Sequence, residues 1–437
     1  MDFAPATGNP LDPFPHYERM RESAPVFHDE QSASWHVFRY DDVQRVLSEH
    51  ARFSSRMQGD DQSETGHLFA SSLITTDPPR HRQLRSLVTQ AFTPKAVDAL
   101  APRISQLTEE LLEGIASLGT ADLIQALAYP LPVIVISELM GVPAEDRDRF
   151  KLWSDVIVSQ TRTSAPNEDH HATNLEMTEY FLNLIEQRRS RPGNDLISNL
   201  LSAEIDGQKL SVVELLGFCS LLLVAGNETT TNLIGNAVLC FAEVPGTIER
   251  LRKDATRLPQ AIEEVLRFRS PVQSMYRVAV AETTLGDVHI PAGAPLVAWI
   301  GSANRDERQF PRPAQFDIDR DQIRHLAFGH GIHFCLGAPL ARLEARIALE
   351  GTLSRLPGLT VAPGSRLERM DSTIVYGLKA LPATWQAAYT RGGRPAEPAC
   401  NIPPGVLPLL VEERRIPPGN SPTAQRRRAH ASGTHLR

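Results

Sequence analysis

The sequence has few cysteines and no long uninterrupted run of apolar residues. Its 437 residues include only Cys219, Cys240, Cys335 and Cys400, and no two of them form a Cys-x-x-Cys pair. Four widely spaced cysteines make a poor disulfide framework, and a zinc ribbon has no support. The apolar runs fall short of the ~18–20 residues of a membrane span, and the N-terminus lacks the segments of a secretory signal. These absences predict a cytoplasmic protein without a membrane span.

The sequence also lacks the strong positive charge of a nucleic-acid-binding chain. The formal net charge is −7, with 22% charged and 41% hydrophobic residues, which is ordinary for a globular chain with a sizeable core. Residues 389–437, however, hold eight of the 33 prolines and eight arginines against three glutamates. We predict one domain over residues 1–388 and a Pro/Gly/Arg-rich, mostly disordered tail over residues 389–437.

Helical periodicity dominates the chain before the tail. Apolar residues recur at helical spacing over residues 96–118, 172–190 and 211–243. The strand-like segments are fewer and shorter, namely Ser34–Tyr40, Val278–Val280, Thr284–Ile290 and Pro295–Ile300. The triplet Pro291-Ala292-Gly293 is typical of a hairpin turn between two of them. The pattern predicts a mainly α fold with a minor β region.

The densest candidate chemistry lies between Phe328 and Gly337, in the segment FGHGIHFCLG. Three glycines within nine residues require the backbone to turn tightly or to approach another group closely. Apolar residues then recur at helical spacing from Leu336 to Ile347, so a helix begins just beyond Cys335. A cysteine beside a helix N-terminus is favoured as a thiolate, which is the form that binds metals.

Two alternatives to a thiolate that binds a cofactor have to be weighed for Cys335, namely a buried free cysteine and a zinc ligand. A free cysteine is often simply buried, and this is what we expect of Cys219 and Cys240, which lie inside apolar helical stretches. Around Cys335, the glycine-rich loop, the helix start and the flanking aromatic residues favour a functional role. His330, His333 and Cys335 are possible zinc ligands, but no fourth ligand occurs at a usual spacing. One thiolate on a large apolar cofactor fits the segment better.

The segment resembles the cysteine-ligand loop of the cytochrome P-450 family of haem-thiolate monooxygenases. The resemblance implies that Cys335 is the axial ligand of the iron in haem b. It implies that His333 contacts a haem propionate and that the ring of Phe328 packs beside the ligand sulfur. Gly337 closes the matched loop and is a further candidate for contact with the cofactor.

A second motif lies in the apolar stretch LLVAGNETTTNLI, residues 222–234. Ala225 and Gly226 form a small pair that lets a bulky group approach a helix, and Glu228 and Thr229 form an acid–alcohol pair that can relay protons. A capped or kinked core helix is the alternative interpretation. The resemblance implies that the small pair lies on the helix that crosses the haem. It also implies that Thr229 hydrogen-bonds bound dioxygen, while Glu228 feeds protons towards it.

Three more matches concern charged residues. Glu264 and Arg267 are i, i+3 neighbours, which by themselves predict a surface ion pair. The resemblance implies instead a buried structural pair that helps to hold the haem-ligand loop. His81 and Arg85 fall one helical turn apart, and Arg277 follows in a strand-like segment. For these three residues the resemblance implies contacts with haem propionates, and arginine suits carboxylate recognition.

The resemblance covers residues 10–387 and implies the cytochrome P-450 fold enclosing one haem b. It implies an oxidoreductase that activates dioxygen and hydroxylates a lipophilic steroid, terpenoid or fatty acid, as soluble bacterial members do. Electrons are then expected from a separate ferredoxin and ferredoxin reductase, with NAD(P)H as the ultimate donor. The candidates for a basic docking patch are Arg324, His325, His330, Arg342 and Arg346. The candidate substrate-pocket segments are Ser55–Leu73, Ser159–Thr173, Leu222 and Ala225, Val272–Met275, and Ile374–Tyr376.

Two other functions remain open at the level of the sequence. One is a peroxide-driven fatty-acid peroxygenase of the same fold, but such members lack the acid–alcohol pair, so Glu228 and Thr229 argue against it. The other is a haem-binding sensor or electron carrier without turnover. A substrate-induced spin-state shift would disfavour that second function.

Overall fold

The structure is a computed structural model that describes residues 11–56, 72–89, 92–160, 168–204, 207–321, 323–370 and 372–387. The helices are α1 Phe14–Ser23, α2 Tyr40–Ser48, α3 Arg80–Thr89, α4 Pro94–Asp98, α5 Ala101–Ala116, α6 Pro130–Leu139, α7 Arg147–Gln160, α8 Glu168–Ser190, α9 Leu196–Ser202, α10 Val212–Glu243, α11 Thr247–Lys253, α12 Leu258–Phe268, α13 Ile300–Ala303 and α14 Ala338–Arg355. The strands are β1 Val26–Asp29, β2 Ser34–Val37, β3 Phe53–Ser54, β4 Thr120–Asp122, β5 Met275–Ala279, β6 Thr283–Leu285, β7 Val288–Ile290, β8 Pro295–Ala298, β9 Thr360–Val361 and β10 Pro382–Thr384. The prediction of a mainly α fold with a minor β region is confirmed.

The long helix α10 runs through the core. Its start is fixed by a capping box, in which the Ser211 hydroxyl accepts from the Glu214 N–H at 3.2 Å and the Ser211 N–H donates to the Glu214 carboxylate at 2.9 Å. Every residue from Leu233 to Phe241 is buried, because α10 packs against α6, α7, α8, α12 and α14. Cys219 and Cys240 are both buried on this helix, as predicted.

By length and composition, α10 is also long and apolar enough to cross a membrane, which the sequence analysis did not anticipate. The core helix of a globular protein satisfies the same criterion. Here the helix carries the buried polar residues Asn227, Asn232 and Asn236 and packs against α6, α7, α8, α11, α12 and α14. The helix is therefore explained by its place in the core, while the cytoplasmic location stays a prediction.

A five-stranded sheet, in the order β1-β2-β8-β5-β3, forms the main β region. The predicted strand Ser34–Tyr40 is too long, because β2 ends at Val37 and Tyr40 begins α2. The Tyr40 N–H donates to the Asp306 carboxylate at 2.8 Å, and its phenol donates to the Arg324 carbonyl at 2.7 Å. Tyr40 is thus buried by these tertiary contacts, and its apolar character does not extend the strand.

The predicted strand Thr284–Ile290 is wrong, since this segment is a hairpin. Strands β6 and β7 pair antiparallel, and Gly286 between them has φ +53°, a conformation that favours glycine. The triplet Pro291-Ala292-Gly293 does form a turn, in which the Ala294 N–H donates to the Pro291 carbonyl at 3.3 Å. It is not a hairpin turn, however, because β8 pairs with β2 and β5 and not with β7. The predicted strand Pro295–Ile300 ends at Ala298, and Ile300 begins α13.

The helix predicted beyond Cys335 is α14, which begins at Ala338 and packs against α5, α10 and α12. This packing places the cysteine-bearing loop beside the middle of the core. The predicted domain boundary at residue 388 and the predicted disordered tail over residues 389–437 lie outside the described residues, so both stay predictions.

Candidate active site

A cavity of about 250 Å³ opens between elements that are far apart in the sequence. One wall is a face of α10, which presents Phe218, Leu221, Leu222, Ala225 and Thr229 at spacings of three and four residues. Further apolar walls come from Leu73, Ile74, Phe92, Ile136, Val272 and Met275. The cavity is therefore lined mainly by hydrocarbon, which suits an apolar occupant.

The predicted pocket segments are only partly matched by this lining. Leu73, Leu222, Ala225, Val272 and Met275 line the cavity as predicted. Residues 374–376 are not among the described lining residues, although Val375 forms a β-bridge with the lining residue Val272. Most of Ser55–Leu73 and the middle of Ser159–Thr173 lie outside the described residues.

Backbone contacts shape the loop that carries Cys335 to the cavity. The Cys335 N–H donates to the Phe328 carbonyl at 2.8 Å, and a tight 3-10 turn occupies Gly331–His333. Gly331 has φ +72°, and a Cβ at this position would lie 2.8 Å from the Cα of Ser48. Glycine is therefore needed both for the backbone conformation and for the close approach to α2.

The Cys335 side chain is exposed to the cavity, but the cavity itself lies within the protein. Burial raises the pKa of its thiol, while the N–H groups of Gly337 and Ala338 and the positive charge of Arg85 act in the opposite direction. The predicted help from the helix N-terminus is present, but burial outweighs it. A metal ion on the sulfur would reverse this balance, because coordination deprotonates a thiol.

The zinc interpretation of this loop gains no support. Among the described residues, no group of three or more His, Cys, Asp or Glu side chains is arranged to hold a metal ion. The loop instead offers one thiol next to open space, since a Cβ added at Gly337 would meet nothing within 4 Å. A single protein ligand on a larger cofactor is consistent with this arrangement.

Four basic side chains meet beside the cysteine loop, namely His81, Arg85, Arg277 and His333. The rings of His81 and His333 lie 4.3 Å apart between centroids, and His333 Nε2 lies 2.9 Å from the Ser55 hydroxyl. Burial lowers the pKa of Arg277 to about 10, and burial with Arg85 nearby lowers that of His81 to about 4. Positive charge is therefore costly in this cluster.

The cluster lacks hydrogen-bond acceptors for some of its donors. His81 is 2% exposed, and its Nε2 atom has no hydrogen-bond partner among the described residues. Asp77 is the acidic neighbour that opposes the lowered pKa values of His81, Arg277 and His333. A ligand that carries carboxylates would provide both the missing acceptors and the missing negative charge.

Glu228 and Thr229 are adjacent on α10, but only Thr229 is among the described residues that line the cavity. The Thr229 hydroxyl lines the cavity and donates to the Ala225 carbonyl at 2.7 Å. Glu228 is half-buried and is not among the described residues that line the cavity. Gly226 lines the cavity, but a Cβ there would lie 3.0 Å from the Ile136 side chain, so its small size also serves the packing of α10 on α6.

Glu264 and Arg267 form a buried pair, and both side chains are 0% exposed. Two hydrogen bonds of 2.7 and 2.8 Å join them, and Arg320 donates to the same carboxylate at 3.0 Å. Arg267 also donates to the Asn304 carbonyl at 3.0 Å, while the Asn304 side chain accepts from the Leu326 N–H at 2.7 Å. The pair is thereby connected to the start of the cysteine loop.

The predicted basic docking patch is partly neutralised. Glu263 accepts two hydrogen bonds from Arg342, at 2.7 and 2.8 Å, and its carboxylate lies 3.1 Å from His325. Arg346 pairs with Glu350 at 3.4 Å. The Arg342 guanidinium also stacks over the Phe328 ring at 4.4 Å. Of the five predicted residues, Arg324 and His330 are exposed and lie outside these pairs, and His330 also lines the cavity.

The sequence analysis missed Glu344, a buried acid on α14 that lines the cavity. A signal was available, because residue 344 follows Leu340 by four positions and precedes Ile347 by three. It therefore lies on the apolar face of a predicted helix. An acid in such a position is rarely fully buried without a reason.

Comparison with known proteins gives matches to a single protein family over most of the chain. The family model described as Cytochrome P450 matches residues 16–386. Putative cytochrome P450 YjiB of Bacillus subtilis (strain 168) is 46% identical over 373 residues, covering 84% of this chain and 92% of that protein. Vitamin D(3) 25-hydroxylase of Pseudonocardia autotrophica is 39% identical over 383 residues, covering 85% and 94%.

Solved structures agree with this result. The crystal structure of CYP109E1 from Bacillus megaterium in complex with testosterone has a TM-score of 0.80 and 45% sequence identity. The match covers 86% of this chain and 98% of that one. The structure of P450BioI in complex with acyl carrier protein ligated to hexadec-9Z-enoic acid has a TM-score of 0.81 at 32% identity, covering 86% and 98%.

Proposed function

The chain belongs to the cytochrome P450 family, and from this premise we propose that it hydroxylates a lipophilic small molecule of the steroid, terpenoid or fatty-acid class. Its relatives are named monooxygenases and hydroxylases, so the chain is an oxidoreductase of the monooxygenase type. One observation carries the proposal for this chain. The Cys335 thiol, a cluster of basic side chains and the Thr229 hydroxyl all meet at a single apolar cavity.

The residues around the cavity fit a haem group, which we propose to be haem b. Cys335 would bind its iron, while His81, Arg85, Arg277 and His333 would face its two propionates. This assignment is supported by the buried His81 Nε2 atom, which has no partner among the described residues. Propionates would also offset the burial that lowers the pKa of Arg277. Bound there, the haem iron supplies the activation of dioxygen.

The chain's own groups would position the reactants and move protons. The Thr229 hydroxyl, now bonded to the Ala225 carbonyl, can rotate to donate to a small ligand in the cavity. Glu228 lies outside the described cavity wall, so any proton that it supplies must pass through Thr229 or a water molecule. The apolar walls exclude bulk water, which strengthens each hydrogen bond made inside.

The substrate class is supported by the cavity walls and by the relatives. The apolar lining residues include Phe92, Phe218, Leu221 and Val272, which suit a hydrocarbon skeleton. Among the relatives, one is named for vitamin D3, one was crystallised with testosterone, and one with an acyl carrier protein bearing a fatty acid. These names favour steroids and long-chain lipids as the first compounds to screen.

We propose that a ferredoxin supplies the electrons, with a ferredoxin reductase and NAD(P)H behind it. Family members generally receive electrons from a redox partner. In this chain the exposed residues Arg324 and His330 lie in the segment that leads to Cys335. Because Arg342 and Arg346 are engaged with carboxylates, the attraction of an acidic partner would rest on fewer charges than the sequence predicted.

The test of this proposal is the absorption spectrum of the reduced, carbon-monoxide-bound protein. The wild type should give the spectrum of a thiolate-ligated haem, and Cys335→Ser should lose it, with Cys219→Ser as the control. A histidine-type spectrum in the wild type, or no haem at all, would contradict the assignment. Spin-state shifts with steroids, terpenoids and fatty acids then identify ligands. Turnover driven by peroxide alone would favour a peroxygenase, and no turnover with any donor would favour a sensor.

A further inference from the structure

Glu344 is a buried acid in the cavity wall that the sequence motifs leave without a role. It lies on α14, nine residues after Cys335, and is 1% exposed. Its Oε2 atom is buried without a hydrogen-bond partner among the described residues. A carboxylate in such a place is strongly disfavoured, whereas a neutral carboxylic acid is tolerated. The charge of this side chain is therefore a variable property of the cavity.

Glu344 belongs to the wall of the cavity that carries the cysteine. It follows the lining residues Leu340 and Ala341 by four and three positions on α14, so the three share one face of that helix. A cofactor bound to the Cys335 sulfur would lie along this face, whereas Thr229 lines the cavity from α10. Glu344 is thus placed to act on the cofactor through its charge, and not on the reactants at the Thr229 side.

Burial keeps this acid protonated near neutral pH. Burial raises the pKa of the Glu344 carboxyl to about 8, and it is the only cause of that shift. The ionisable groups on the helices packed against α14 do not contribute to it, among them Glu109 on α5, Glu228 on α10, Arg252 on α11, Glu263 on α12 and Lys95 on α4. The same holds for the ionisable groups that line the cavity, namely Arg85, Arg277, His330, His333 and Cys335.

A nearby negative charge in a medium of low dielectric constant makes it harder to add an electron to a site. A neutral Glu344 brings no such charge to the cysteine side of the cavity, whereas an ionised Glu344 does. We propose that the charge of Glu344 regulates electron transfer to the bound haem, which is reduced readily while the acid is neutral and less readily once it is ionised. The proposal rests on the haem assignment made above and names a means of regulating that same site.

Electrons and protons balance in this step. The redox partner gives up one electron, and the haem site gains it. Where Glu344 is ionised, solvent supplies one proton to its carboxylate, so that the site gains no net charge. Each uptake favours the other, because the coupling between two binding events is reciprocal.

The reduction potential of the haem-loaded protein, measured against pH, tests the proposal. At pH 7 the wild type and Glu344→Gln should have the same potential, because both side chains are neutral. Above about pH 8 the wild-type potential should fall below that of the variant, by at most about 59 mV per pH unit for one electron and one proton. Glu344→Met, which is also uncharged, should behave like Glu344→Gln. Equal pH profiles in the wild type and both variants would overturn the proposal.

A matched control is available on the same helix. Glu350 is exposed and pairs with Arg346, so Glu350→Gln should follow the wild-type profile. The pKa values of His81 and His333 are lowered to about 4 and about 3, so these rings titrate below the window measured. The Cys335 sulfur does not titrate in the haem-loaded protein either, because a coordinating thiol is already deprotonated. A profile of Glu350→Gln that matched Glu344→Gln would contradict a specific role for Glu344.

The protonation state of Glu344 can be measured without electron transfer. Infrared spectra of the haem-loaded wild type should contain a carboxylic-acid C=O band at pH 7 that titrates away around pH 8. The band should be absent from Glu344→Gln and present in Glu350→Gln. A wild type without this band at pH 7, or a band that survives in Glu344→Gln, would overturn the proposal.

The spectrum of the reduced, carbon-monoxide-bound protein separates this inference from the haem assignment. If the wild type lacks a thiolate-type spectrum, the haem assignment fails, and the role of Glu344 fails with it. If the wild type and Glu344→Gln both give that spectrum but their potentials depend on pH in the same way, only the role of Glu344 is overturned.

Discussion

At the scale of single residues, we predict that the Thr229 hydroxyl couples the consumption of dioxygen to the formation of product. Thr229→Ala removes the only hydroxyl that α10 is proposed to offer to bound dioxygen, but leaves the cavity walls in place. We expect dioxygen consumption to continue, while the product formed per dioxygen decreases several-fold. The measurement is product and hydrogen peroxide per dioxygen consumed. Thr229→Ser, which keeps a hydroxyl, is the matched control, and equal coupling in the alanine variant would contradict the assigned role.

Single residues also differ in how well the sequence alone predicts their roles. Cys335 is recognisable because its glycines, its helix start and its neighbours form a contiguous pattern. Glu344 was missed because its meaning depends on burial from several helices, which no short pattern records. Gly226 shows a third situation: its small size was predicted to serve an approaching ligand, but the Ile136 side chain occupies the space beside it. The roles of these residues stay predictions until they are measured.

At the scale of elements, the Glu264–Arg267 pair connects α12 to the segment that precedes the cysteine loop. Glu264→Gln would leave the buried cations of Arg267 and Arg320 without a full counter-charge. Breaking a buried pair in this way typically costs about 3–5 kcal/mol of unfolding free energy. Denaturant unfolding should therefore show a large decrease in the midpoint, together with weaker haem retention. Glu350→Gln, which removes an exposed pair on α14, should cost less than about 1 kcal/mol.

Helices were more predictable than strands, and the reason lies in what each pattern measures. The periodicity over residues 211–243 gave α10 to within one residue, because one face of a long helix repeats many times. The segment Thr284–Ile290 contains too few residues for alternation to reveal a turn at Gly286. Tyr40 extended a predicted strand because it is buried, although its partners Asp306 and Arg324 lie in distant segments. A local sequence pattern indicates that a residue is buried, but tertiary contacts determine whether that residue lies in a strand or in a helix.

At the scale of the whole molecule, the proposed haem site assembles residues that are far apart in the chain. His81 lies on α3, Arg277 on β5, and His333 and Cys335 on the loop before α14. The sequence could name these residues through a resemblance, but it could not show that their positive charges are crowded and buried. This crowding lowers the stability of the folded protein, since like charges in a low-dielectric site repel unless an anion joins them.

This cost of buried positive charge leads to a prediction in which one variant has opposite effects on the stability of haem-free and haem-loaded protein. Arg277 is 3% exposed, and burial lowers its pKa to about 10, so its charge is costly until propionates pair with it. In haem-free protein, Arg277→Gln should melt at the same temperature as the wild type or higher. In haem-loaded protein it should melt several degrees lower, because the ligand binds the folded state less tightly. The exposed variant Arg324→Gln should change neither form, and an equal loss in both forms of Arg277→Gln would assign Arg277 a purely structural role.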